Sequence, residues 1–348
     1  MIGTNIGIDL GTTAIKIFVE GKGIVLCEPC AAAYEVDTGK LIAVGKRAQD
    51  MHEKTPDAIR VVKPMIHGIV SDFTATKHIL QSFLSKICKT MVFKPNVVAC
   101  VPSMVTSLEK RTILDLITSA GAAKACLIEE PLAAALGAGL KSDLPKGAMV
   151  VDIGGGTTDI AVITMGCISV SSSIKVAGNA LDEAIQRQIR RERDVIIGLK
   201  TAEYIKKQIG CSYLREVELG LTVKGKHFIT GMPVSIEVSS TEAYLAMRPQ
   251  LEQISEAVRS VLEMTPPELA ADIMSSGIYL TGGGALLSGI DEMIYRKTGI
   301  RTVIAERAVE CVALGTGEAL DHMDILSQNG YVFKSRDEIG GLELNKTE

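Results

Sequence analysis

Val151-Asp152-Ile153-Gly154-Gly155-Gly156-Thr157-Thr158-Asp159-Ile160 joins two apolar runs through a carboxylate, three glycines and two threonines. Ala148 to Val151 and Ile160 to Thr164 read as strands, so the stretch predicts a hairpin. Its glycines can adopt positive φ and bring backbone N–H groups close to an anion, and Thr157 and Thr158 add hydroxyl donors at the rim. Asp152 repels phosphate, but a carboxylate at the mouth of a phosphate cradle can hold a hydrated magnesium ion. The stretch asks for a metal–nucleotide complex, although a glycine triplet alone serves equally as a plain loop.

Repetition favours the first reading. Ile8-Asp9-Leu10-Gly11-Thr12-Thr13-Ala14-Ile15 repeats the order of apolar residue, aspartate, apolar residue, glycine, threonine pair and apolar strand. It too lies between strand-like runs, Asn5 to Asp9 and Ile15 to Glu20. Such a duplication implies two similar domains, one hairpin from each clamping the phosphates. A third glycine-rich turn, Thr281-Gly282-Gly283-Gly284-Ala285-Leu286, follows the strand Ile278 to Leu280 and predicts a helix from about Ala285 to Lys297. Glycines at a helix start leave N–H groups and a flat backbone for a nucleotide.

With 348 residues, 47% of them hydrophobic, the chain can build two cores. No apolar run is long enough to span a bilayer, and no basic, cleavable leader is visible, which predicts a cytosolic protein. The net charge of −4 and an aromatic content of 4% argue against a nucleic-acid surface, which needs basic excess and stacking platforms. Of the eight cysteines only Cys27 and Cys30 have CxxC spacing, and no second pair completes a zinc site.

Between the glycine turns, Thr74 to Lys89 and Ser107 to Ala120 carry helical periodicity. Gly21 to Val44 and Arg47 to Pro56 form a small insert of short strands and one helix. The strand Ala125 to Ile128 delivers Glu129-Glu130-Pro131, which opens an alanine-rich helix. Acidic residues suit a helix start, and with two glutamates one can serve the dipole while the other orients water. In the second half, Gly178 to Glu192 and Thr201 to Ile209 read as helices. Glu203 and Lys206 share a face of the latter, as a surface ion pair or as part of a site. Thr241 to Met264 is a long helix ending near Pro266-Pro267. Met91-Val92-Phe93, with lysines on both sides, is either the start of the strand toward Pro102 or an apolar tip that inserts among lipid headgroups.

The order of DLGTT, EEP before the alanine run, DIGGGTTD, TAEYIK, PPELAADIM, TGGGALL and CVALGTG resembles the MreB-type bacterial actins, most of all their Mbl-like branch. The similarity runs from about Ile6 to Asp321. It implies an α/β, actin-like ATPase fold: two duplicated ribonuclease-H-like domains, each with a smaller subdomain, and ATP with Mg²⁺ in the central cleft. Domain I would span 1–145 with an insert at 32–65, and domain II 146–325 with an insert at 182–245. A helix near 312–325 would pack back on domain I, before a polar tail at 326–348. By motif, Gly11, Thr12, Thr13 and Ala14 would grip phosphates from one side, and Gly154, Gly155, Gly156 and Thr157 from the other. Asp9 and Asp152 would hold magnesium through water. Glu203, Tyr204, Ile205 and Lys206 would border the adenosine with Gly282, Gly283, Gly284, Ala285 and Leu286. Glu130 would position the hydrolytic water, with Thr157 beside it. The chain departs from the family at Ala14, where asparagine is usual, and at Ile66-His67, where Lys-Asp is usual.

The resemblance further implies filaments of this chain, slow ATP hydrolysis coupled to assembly, cell-wall elongation proteins as partners, and attachment to the inner face of the cytoplasmic membrane through Met91, Val92 and Phe93. Two rivals share the superfamily. A small-molecule kinase needs a catalytic aspartate and a sugar-shaped pocket on added loops, and a chaperone ATPase needs a peptide-binding domain after residue 330; neither is seen.

Overall fold

The computed structural model describes residues 5–52, 54–88, 94–140, 144–321 and 333–335. The chain divides into two compact units, residues 1–141 with 310–348 and residues 142–309.

The first unit opens with the antiparallel strands β1 (Asn5–Leu10), β2 (Ala14–Val19) and β3 (Gly23–Pro29). On β2 only Ile15, Ile17 and Val19 are buried, the alternation of a strand covered on one face, whereas β1 is buried on both faces. An insert follows: β4 (Ala32–Glu35), β5 (Leu41–Val44), α1 (Lys46–Met51) and β6 (Ile59–Val62). Its three strands, ordered β5-β4-β6, pack over Ala31, Ala33, Ala43 and Ala48. The short hairpin β7 (Met65–Ile66) and β8 (Ile69–Val70) leads to α2 (Phe73–Ile87), β9 (Asn96–Val101), α3 (Ser107–Ala120), β10 (Lys124–Glu129) and α4 (Glu130–Gly137). Asp72 caps α2 by accepting from the Ala75 N–H, and Thr106 with Glu109 forms a capping box on α3.

The second unit repeats the plan with β11 (Ala148–Ile153), β12 (Thr158–Thr164) and β13 (Cys167–Ile174). Next come α5 (Gly178–Arg193), β14 (Val195–Ile196), α6 (Leu199–Ile209), β15 (Gly220–His227), β16 (Pro233–Ser239) and α7 (Ser240–Met264). The unit closes with α8 (Pro267–Ser276), β17 (Ile278–Thr281), α9 (Ile290–Thr298) and β18 (Thr302–Ile304). The chain then returns to the first unit with α10 (Cys311–Asp321) and β19 (Phe333–Ser335).

The duplication is visible in the sheets. The first is ordered β19-β10-β9-β1-β2-β3 and the second β13-β12-β11-β17-β18. In each, a three-stranded antiparallel meander continues through its first strand into two parallel strands, β9 and β10 or β17 and β18. Each sheet carries its own core, with Ile8, Phe83 and Leu116 in one and Val151, Met247 and Leu280 in the other.

Four readings of the sequence change. The helix expected from Ala285 is interrupted: Gly283–Leu286 form a single 3-10 turn, and α9 begins only at Ile290, after Gly289 at φ +78°. Pro266-Pro267 ends α7 and also opens α8, because a proline in the first helical turn lacks only an N–H that has no partner there. β13, rich in serine, was not visible as a strand in the sequence. In the tail, expected only to be polar, Phe333–Ser335 pair with Lys124–Cys126 as an edge strand.

Candidate functional site

In the first unit the turn between β1 and β2 is tight. A Cβ on Gly11 would lie 2.7 Å from the Ala14 carbonyl oxygen, so the turn needs glycine for space, and it does so without positive φ. Strand register sets Asp9 directly opposite Lys16. Their side chains form a largely buried ion pair, Lys16 Nζ to Asp9 Oδ2 at 2.6 Å. From β9 the Cys100 thiol donates to the other oxygen, Oδ1, at 3.5 Å. Burial holds that thiol well above the usual range, and the nearby charges of Asp9 and Glu130 push it the same way. Asp9 and Glu130 therefore share one neighbourhood around Cys100.

Thr12 and Thr13 hold the turn from outside. Thr12 Oγ1 accepts from the Gly68 N–H at 2.8 Å, and the Thr13 carbonyl accepts from the Cys30 N–H at 3.1 Å. The first bond explains where Ile66-His67 belongs: Ile66 ends β7 and His67 opens the β7–β8 turn, whose Gly68 leans on the β1–β2 hairpin. His67 has φ +49°, a left-handed conformation that histidine and aspartate both tolerate better than most residues. Ala14 offers no polar side-chain atom, so a contact of the asparagine type is absent at that position. Cys27 is exposed, while Cys30 is buried, which pushes its thiol up to about 12.

The two glutamates separate. Glu129, at the N-cap of α4, is reached by Lys110 Nζ at 3.4 Å. Glu130 is the first residue of α4 and is buried.

In the second unit the Gly154–Thr157 turn closes with the Gly154 N–H donating to the Thr157 carbonyl at 2.9 Å. Gly154, Gly155 and Gly156 have no positive φ either, contrary to the expectation from their residue type. The carbonyls of Gly154 and Gly155 accept from the N–H groups of Gly178 (3.1 Å) and Asn179 (2.8 Å) at the start of α5. The turn is thus fixed by the helix behind it. Asp152 faces Asp159 across the strand pair, both buried, and Asp152 Oδ1 accepts from Thr281 Oγ1 at 2.7 Å. Where the first hairpin sets aspartate against lysine, the second sets two carboxylates face to face, an arrangement that favours a cation or a shared proton.

Glu203 and Lys206 take different partners. Glu203 pairs with Lys207 at 2.6 Å, one residue further along α6. Lys206 turns inward, reaching Asp182 Oδ1 at 2.8 Å and donating to the Gly178 carbonyl at 2.8 Å. Asp182 is pushed up to about 6, by burial first and against the pull of Lys206. Tyr204 is half exposed, whereas Ile205 is fully buried in the core, so its side chain is not placed to border a ligand. In the third glycine turn, a Cβ on Gly282 or Gly284 would collide with Ile153, while one on Gly283 would meet nothing within 4 Å. Two of these glycines serve packing on β11, and the third leaves an open backbone surface. Ala285 is buried and Leu286 exposed. Met91, Val92 and Phe93 lie outside the described residues.

Lys16 and Asp159 escaped the sequence reading. The signal was available, since Asp9 to Lys16 and Asp152 to Asp159 are each seven positions apart, the spacing that a hairpin with this turn places in register.

The family model described as MreB/Mbl protein matches residues 3–328. The chain belongs to the MreB/Mbl family. The cell shape-determining protein Mbl of Bacillus subtilis (strain 168) is 43% identical over 327 residues, covering 94% of this chain and 98% of that protein. The cell shape-determining protein MreB of Escherichia coli (strain K12) is 41% identical over 331 residues, 93% of this chain and 95% of the other. MreB5 of Spiroplasma citri is similar in structure in two crystal structures. Bound to ADP it gives a TM-score of 0.89 at 39% identity over 94% of this chain and 99% of its own. Bound to AMPPNP the values are 0.87, 38%, 95% and 99%. The actin-like fold seen in the duplicated sheets is thus that of the MreB/Mbl proteins.

Proposed function

We propose that this MreB/Mbl protein binds and slowly hydrolyses ATP, that hydrolysis regulates its assembly into filaments, and that the filaments maintain rod cell shape by organising wall synthesis at the inner face of the membrane. The carrying observation is the pair of duplicated hairpins, each with an aspartate on its first strand and a small-residue turn fixed from behind. Solved relatives bound to ADP and AMPPNP, and relatives named for cell shape, support the reading. Gly11–Ala14 and Gly154–Thr157 hold phosphates, Glu203, Tyr204 and Lys206 flank the adenosine end, and Gly282–Leu286 supply backbone surface there.

A magnesium ion fits this set, because Asp152 and Asp159 place two buried carboxylates opposite each other beside the Gly154–Thr157 turn. Among the described residues no group of three His, Cys, Asp or Glu forms a metal cage. Magnesium would therefore be held by phosphate, water and single carboxylates, its usual mode. When bound, it would neutralise phosphate charge. Asp152 is the stronger candidate for the water-mediated contact, since Asp9 is already neutralised by Lys16.

Glu130 orients the attacking water and takes its proton. It is the buried glutamate of the two, next to Asp9, whereas Glu129 is occupied by Lys110. Water positioning and general-base assistance contribute on the order of 10²–10⁴-fold in rate. Glu130→Ala should bind ATP nearly as the native protein does and release phosphate slower by about that factor. Turnover lost in Glu129→Ala but kept in Glu130→Ala would reverse the assignment, and pelleting with ATP and AMPPNP tests the link to assembly.

A further inference from the structure

The second unit contains an open cavity of about 800 Å³ that none of the proposed nucleotide residues lines. Its walls come from the 212–219 segment that follows α6, from Tyr244 on α7, and from Gly289, Glu292, Met293 and Arg296 at the start and outer face of α9.

The cavity is built. Ser212 donates through both its N–H (2.9 Å) and its hydroxyl (3.1 Å) to the Ser288 carbonyl, which ties the two walls at the base. Gly289, at φ +78°, passes beneath the Tyr213 ring, where a Cβ would come within 2.4 Å of the ring carbons. Any other residue there would displace the ring. The lining is apolar through Leu214, Val217, Leu219 and Met293, with two tyrosines. The charges are unequal in their commitments. Four charged residues line it, Arg215, Glu216, Glu292 and Arg296, and Arg296 is paired with Glu292 at 2.8 Å. Arg215 lies 5.7 Å from the Tyr213 ring centroid, and its Nε is buried without an acceptor. A buried guanidinium N–H that lacks an acceptor costs free energy, and a ligand that brings one recovers it.

We propose that this cavity is a binding site for a small amphipathic organic anion, with a flat apolar body between Tyr213, Tyr244 and Met293 and a carboxylate or sulfonate head on Arg215. The volume lies in the range of small-molecule sites. Both walls continue elements assigned above to the adenosine end: the 212–219 segment leaves α6, and Gly289 follows the Gly283–Leu286 turn. A ligand here would shift nucleotide affinity, and nucleotide would shift its affinity by the same factor. That coupling rests on the proposed nucleotide site; the existence of the cavity site does not.

The test titrates the full chain with 1-anilinonaphthalene-8-sulfonate, following fluorescence and calorimetric stoichiometry, with and without saturating ATP. The expected result is one saturable site per chain, weakened about tenfold in Arg215→Gln and lost in Met293→Trp, which puts an indole where the apolar body would lie. Melting temperatures of both variants establish that they are folded. Val217→Trp at the exposed rim is a second blocking variant if Met293→Trp is not. Absence of saturable binding, or binding unchanged in Arg215→Gln and in the folded blocking variant, overturns the site. Binding that behaves as expected but is indifferent to ATP keeps the site and removes the coupling.

Discussion

At the scale of single residues, the least expected finding is the inward turn of Lys206. A lysine proposed to border adenosine also joins Asp182 to the Gly178 carbonyl, and the adjacent N–H groups of Gly178 and Asn179 hold the Gly154 and Gly155 carbonyls. Lys206 thereby fixes the Gly154–Thr157 turn through the start of α5. Removing one partner of a buried ion pair typically costs about 3–5 kcal/mol, since the other charge stays buried. Lys206→Met should therefore lower the melting temperature and weaken ATP binding by roughly tenfold or more, with Lys206→Arg recovering part of both. Melting and affinity unchanged in Lys206→Met would show that the contact does not hold the turn. Asp182 gives the pH counterpart. Burial raises its folded pKa from the ordinary 3.8 to about 6, so its contribution to stability is fully present below about pH 4 and is lost as pH rises through 6. The span corresponds to roughly 3 kcal/mol at most. Relative to Asp182→Asn, the native protein should lose stability between pH 4 and 7 in denaturant titrations, and parallel pH profiles would contradict this.

At the scale of elements, strands and helices were largely legible from periodicity, and turns were not. Ser107–Ala120 is a helix over the span its pattern predicts, because the Thr106–Glu109 box fixes its start and Gly121 its end. The helix expected from Ala285 fails because Gly289 is needed under the Tyr213 ring, a tertiary demand that no local pattern carries. The alanine-rich α4 and the small-residue α10 show what their composition serves. A Cβ on Gly315 would lie 1.7 Å from the Ala133 carbonyl oxygen, and one on Gly137 would lie 1.8 Å from that of Cys311. The two helices touch backbone to backbone. Gly315→Ala must push them apart, an overpacking that typically costs about 1–3 kcal/mol. A lower midpoint in urea is the expected result, with a larger loss in Gly315→Val; an unchanged midpoint would mean that α10 can slide without cost.

At the scale of the whole molecule, the repeated Asp-apolar-Gly-Thr-Thr pattern was enough to foresee two related sheets, since a duplicated motif carries its strand order with it. The divergence of the copies at their facing positions, Lys16 in one and Asp159 in the other, was carried only by the seven-residue spacing from each aspartate, because it matters only once the strands are in register. The divergence makes the hairpins chemically unequal: one sets its aspartate against a lysine, and the other against a second aspartate. The proposed ligand set draws on Gly11–Ala14 of the first unit and Gly154–Thr157 of the second, and each unit has a separate core. A ligand stabilises whatever must be folded to bind it, by about 2.7 kcal/mol at a hundredfold excess over Kd. Calorimetry of the full chain with increasing Mg-ATP should then raise the unfolding of both units, merging any separate transitions into one. ATP without magnesium should give a smaller rise, reduced least in Asp152→Ala, which has already lost the carboxylate facing Asp159. If only one transition moves, the nucleotide is held by one unit alone, and the assignment of phosphate contacts to both hairpins fails.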